Sequence, residues 1–207
     1  MSRILVFCCA LAVIAPSAAD AQLLSLGLRG GASQSTMSLS SGSPASRTGI
    51  VVGPTGVVWL SDALAVQFDA LYVGKGFKPN TAGGVTSALK LSYIDIPIVA
   101  VFSLPKAGSS TIQLRLQAGG TFGFRVQCSV DQGTGDVTGI TDCNPDNVGT
   151  FDFGAVGGAG VKIGKGRGGI VIDATYTFGL LDANLDSGQS ARNRAFQISA
   201  GFLFPIM

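Results

Sequence analysis

Thr111 to Val126, TIQLRLQAGGTFGFRV, separates cleanly when every second residue is read. Ile112, Leu114, Leu116, Ala118, Gly120, Phe122, Phe124 and Val126 make one set; Gln113, Arg115, Gln117, Gly119, Thr121, Gly123 and Arg125 make the other. Alternation this strict is a β-strand with one oily and one polar face. It outlasts the usual soluble strand of about five or six residues and covers the roughly 9 to 11 that cross a bilayer as a tilted strand.

The same rhythm recurs on both sides of this stretch. Before it, the spacing predicts strands from Leu24, over Arg47–Leu60, from Leu64 to Tyr72, and over Leu89–Leu104. After it come Phe151–Ile163, Ile170–Leu180 and Phe196–Phe204. Gly53, Pro54 and Gly56 mark a bend or bulge in the second of these. The connections alternate in length. Ser33–Ser46, Lys75–Thr86, Gln127–Gly149 and Leu181–Arg194 are long; Ser61–Ala63, Pro105–Ser110 and Gly164–Gly168 are short. Outer-membrane barrels are built this way, with brief periplasmic turns and extended outer loops. The expected fold is therefore all-β: an eight-stranded antiparallel up-and-down transmembrane β-barrel with both termini periplasmic. A lipocalin-like soluble barrel is the rival, with its apolar face inside. It needs a hydrated exterior, and the charged residues on the minority face are few.

Composition agrees with one barrel. The chain has 207 residues, enough for one domain and thin for two, and only 13% are charged, about half the usual share. A net charge of +2, scattered, gives nucleic acid nothing to bind. Met1 to Ala21 reads as a secretory signal: Arg3, an apolar run from Ile4 to Ala15, and Ala19-Asp20-Ala21 as the cleavage site. The run is too short for an N-terminal anchor. Cys8 and Cys9 lie inside it rather than at its end, which argues against a lipoprotein. The barrel domain is expected to fill 22–207, surrounded by outer-membrane lipid.

Three short motifs carry a family resemblance: Gly27-Leu28-Arg29-Gly30-Gly31, Leu71-Tyr72-Val73-Gly74-Lys75-Gly76 and Tyr93-Ile94-Asp95-Ile96-Pro97-Ile98. Together they resemble the PorT-like outer-membrane β-barrel family. Asp95 stands where that family more often has glutamate, and the chain ends Phe204-Pro205-Ile206-Met207 without a terminal aromatic. The resemblance implies a small barrel and a link to secretion across the outer membrane.

The chemistry begins with what is missing. With no histidine there is no Ser-His or His-Asp pair and no His-held metal. The glycine cluster from Gly157 to Gly169 fails the P-loop spacing, because Gly166 follows Lys165 where Ser or Thr is needed. It reads as a barrel turn. Neither a cofactor nor an enzymatic activity is expected. Arg29, Asp69, Asp95, Arg115, Arg125, Asp152, Lys162 and Asp173 fall on the polar parity and should face the bore. A bore of this size holds only side chains, so these charges should neutralise one another. Asp95 and Asp152 are candidate partners for Arg115 and Arg125, with strand stagger left open. The alternative for the same set is a narrow ion path.

Asp131, Asp136, Asp142 and Asp146 could hold calcium, but their spacing is not that of an EF-hand, and a solvated loop accounts for them. Trp59 and Phe204 are candidates for interface girdles. Cys128 and Cys143 are the only cysteines after Ala21, and both fall in the longest loop. Two thiols exported through an oxidising compartment suggest an intramolecular disulfide. The expected function is an integral outer-membrane display stand whose loops meet a protein or surface ligand. A small-solute channel and a lipid-modifying enzyme without histidine are the alternatives.

Overall fold

The computed structural model describes residues 24–39, 45–78, 85–105, 111–134, 137–142, 149–181 and 191–206. Among the described residues ten strands form one antiparallel sheet: β1 (Leu24–Leu39), β2 (Ala45–Trp59), β3 (Leu64–Asp69), β4 (Leu71–Lys78), β5 (Val85–Ser103), β6 (Ile112–Thr134), β7 (Val137–Asp142), β8 (Phe151–Ile163), β9 (Gly169–Gly179) and β10 (Ala191–Ile206). The sheet closes on itself, since β1 pairs with both β2 and β10 while β5 pairs with β6. β3 and β4 are a single stave interrupted at Ala70, and β7 pairs with β6 outside the ring. The result is a closed eight-stranded antiparallel barrel. Leu24 stands opposite Ile206, so both described ends lie at the short-turn end.

Proline explains the interruption. Ala70 donates its N–H to Pro54 O at 3.1 Å, and Pro54 has no N–H to return. On the other flank, β5 pairs with β3 as far as Ile98 and with β4 from Asp95, which leaves Pro97 beside the same gap. The bend expected around Gly53 and Pro54 is thus a break in the neighbouring stave.

Several strands run beyond the expected bounds at the long-loop end. Residues expected in the first two loops and the last extend β1, β2, β4, β5 and β10. The longest expected loop, Gln127–Gly149, holds the end of β6 and all of β7, folded as a hairpin. Where the ladder skips Val126, between Ser92–Gln127 and Tyr93–Arg125, a bulge shifts the register. Strand sections clear of the membrane do not need one oily face, so alternation there carries no signal.

Burial is inverted relative to a soluble barrel. Leu28 is 70% and Leu114 is 56% exposed, whereas Arg115 and Lys162 are each 2% exposed. An outward apolar belt around a charged interior excludes the lipocalin-like arrangement and fits lipid outside. The short-turn end of the bore is closed by Val57, Trp59, Ala65, Val99, Val101 and Leu203. Trp59 therefore faces inward, not into a lipid girdle, and its Nε1 donates to Ser25 Oγ at 3.0 Å. A buried indole N–H needs that partner. Phe204 stays outside, 61% exposed.

Candidate functional site: the charged bore

Two clusters of charge fill the bore beyond this apolar stopper. In the first, Arg29 reaches Asp69 through Nη1 at 3.0 Å and grips Asp173 through Nη2. Arg115 Nε lies 3.2 Å from Asp173 Oδ1, and its Nη2 donates to Gln67 Oε1. Gln67 in turn donates to Asp69 at 2.9 Å, and Thr55 Oγ1 donates to the same carboxylate. Two arginines face two aspartates, so this cluster is neutral. Buried charges persist only when paired and hydrogen-bonded in this way.

The second cluster lies nearer the long-loop end. Lys75 Nζ is 2.8 Å from Asp95 Oδ2 and 3.5 Å from Asp152 Oδ2. The Tyr93 ring lies 4.7 Å from the same ammonium, which adds a cation–π contact. Asn193 Nδ2 donates to Asp152 at 3.0 Å. Gly123 makes room: a Cβ there would lie 2.8 Å from Asp95 Oδ1 and 3.3 Å from Asp152 Cβ.

The pairing of Arg115 differs from that expected. Arg115 belongs to Asp173, and the cation between Asp95 and Asp152 is Lys75, which the sequence suggested was in a loop. Arg125 keeps the inward parity but is half-buried, in register with Tyr93 at the outer edge of the second cluster. Lys162 donates to Gly166 O, and its ammonium lies 5.7 Å from the Trp59 ring. That carbonyl belongs to the Gly164–Gly169 turn, where Gly164, Gly166 and Gly169 all have positive φ. The Gly164–Gly169 part of the glycine cluster is thus a turn whose positive-φ positions only glycine follows without strain, while Gly157, Gly158 and Gly160 lie on β8. Ser33 and Ser35 point inward too, donating to Gly74 O at 2.7 Å and Gly76 O at 3.0 Å.

The expected loop residues divide. Asp131 stands opposite Ile140 and Asp142 opposite Ser129 on the β6–β7 hairpin, while Asp136 and Asp146 lie outside the described residues. Cys128 is half-buried on β6 opposite Leu91. Cys143 lies outside the described residues, as does the expected signal segment.

The architecture is that of an outer-membrane β-barrel. The chain belongs to the outer membrane protein beta-barrel domain family, whose model matches residues 19–184. Solved structures of similar fold include OprG from Pseudomonas aeruginosa, with 11% identity, 89% of this chain and 97% of that one covered, and a TM-score of 0.51. Neisserial surface protein A is 17% identical, covering 86% and 97%, with a TM-score of 0.49. Ail of Yersinia pestis, solved with the heparin analogue sucrose octasulfate, is 15% identical, covering 87% and 99%, with a TM-score of 0.45. No curated protein matches the sequence.

Proposed function

We propose that the protein is a plugged barrel that anchors its long loops at the cell surface for contact with a protein or other surface ligand, and is neither a pore nor an enzyme. The observation that carries this reading is the bore itself. The Arg29–Asp69–Arg115–Asp173 and Lys75–Asp95–Asp152 clusters lie in series above an apolar stopper. An ion crossing it would have to part both clusters and then displace Trp59. In this reading the buried charges are structural, the short-turn end with both termini is periplasmic, and Met1–Ala21 is removed on export. The barrel domain then fills 22–207. The PorT-like assignment is supported by Arg29, Lys75 and Asp95, one from each of its three motifs, which all lie in these clusters. A secretion role rests on that resemblance alone.

Planar-bilayer recording of the refolded protein tests the plug. The expected result is no steady unitary current. Regular current steps that grow in Arg115→Ala would favour the channel instead.

A further inference from the structure

A cavity of about 20 Å³ lies inside the bore, bordered by both clusters, with Arg29, Gln67, Asp69, Asp95, Gln117 and Thr121 in its wall. We propose that this chamber is a binding site for one internal water molecule, which joins the two charged clusters into a single hydrogen-bonded network. The volume suits that guest, since a water needs at least ~10–15 Å³ of such space and several polar neighbours.

The wall decides between water and an ion. Gln117 is 5% exposed and its Nε2 has no hydrogen-bond acceptor among the described residues; Arg29 is 6% exposed and its Nε has none among them either. Two unanswered donors, one on a guanidinium, repel a metal cation. The Asp69 and Asp95 carboxylates in the same wall repel an anion. Water alone can accept from the donors and donate to the carboxylates, and it lifts the cost of burying an amide N–H without a partner. It thereby bridges groups of the first cluster to Asp95 of the second.

A crystal of the full mature protein soaked in rubidium bromide tests this, because both ions scatter anomalously. The expected result is density within about 3.2 Å of Gln117 Nε2 that carries no anomalous signal. An anomalous peak in the chamber would assign it to an ion and overturn the proposal, as would an empty chamber. Gln117→Met, which removes the donor and occupies the space, should abolish the density while the protein still shows heat-dependent migration on a gel. Density that persists unchanged in this variant also counts against the site. Should the variant not fold, the wild-type crystal decides alone.

Discussion

Lys75 Nζ lies 2.8 Å from Asp95 Oδ2, and that contact joins two of the motifs that carry the family resemblance. Lys75 comes from Leu71–Gly76 on β4 and Asp95 from Tyr93–Ile98 on β5. Their ladder places Gly74 opposite Ser92 and Leu71 opposite Asp95, so the lysine reaches back along the bore to its carboxylate. Within Tyr93–Ile98, the alternate residues Tyr93, Asp95 and Pro97 form one face. Tyr93 lies beneath the ammonium, Asp95 pairs with it, and Pro97 borders the chamber.

Lys75→Met should therefore be severe. It leaves the Asp95 and Asp152 carboxylates buried together without their cation, a change that typically costs about 3–5 kcal/mol. Urea unfolding in lipid vesicles, followed by the fluorescence of Trp59, the only tryptophan, measures this. Adding Asp95→Leu to Lys75→Met should recover much of the loss. A double variant no more stable than Lys75→Met alone would show that the pair is not what the lysine serves.

Why Lys75 escaped the sequence reading is instructive. Gln67 and Asp69 set an inward parity that continues through Leu71 and Val73 to Lys75, but Gly74 and Gly76 give that segment the composition of a loop. The eight staves were legible because lipid on one side and a polar bore on the other force alternation. Arg29, Asp69, Asp95, Arg115, Asp152, Lys162 and Asp173 share the polar parity for the same reason, and all are buried. Partner choice was not legible. Arg115 and Asp173 lie on strands that are not neighbours, so their meeting depends on stagger and side-chain reach across the bore. Nor was the β6–β7 hairpin, whose VTGITD sequence has no oily face to mark it.

Asp173 holds Arg29 with one oxygen and stands 3.2 Å from Arg115 Nε with the other, so it separates two buried guanidiniums. Asp173→Asn should destabilise the barrel by about 3–5 kcal/mol, because two like charges lose the group between them. Asp152→Asn should cost less, since Lys75 keeps its shorter contact with Asp95. Comparing the two unfolding midpoints in vesicles checks the order. Equal midpoints would argue against a special place for Asp173.

Gly123→Ala tests the space around the second cluster. Its new methyl would stand 2.8 Å from Asp95 Oδ1, too close for the carboxylate to keep its position. Overpacking of this kind usually costs about 1–3 kcal/mol. Gly157→Ala is the control, because nothing lies within 4 Å of a Cβ at that outward position. The unfolding midpoint should fall for Gly123→Ala and hold for Gly157→Ala.

The last prediction concerns the long-loop end. Cys128 and Cys143 are proposed to be joined by a disulfide, since they are the only two cysteines after the expected cleavage site and export passes through an oxidising compartment. Closing a loop of about 15 residues is worth roughly 3 kcal/mol in the chain-entropy model. Most of that should go to the β6–β7 hairpin rather than the ring, because Cys128 lies beyond the Val126 bulge, where β6 leaves its ladder with β8 at Phe124. Cys128→Ser should then leave the heat-shifted gel band in place while added protease cuts the 129–148 segment faster. Peptide mass spectrometry without reductant should recover Cys128 linked to Cys143. Two free thiols in protein taken from the membrane would refute the link. A Cys128→Ser barrel that no longer shifts on heating would instead place the bond's contribution in the ring.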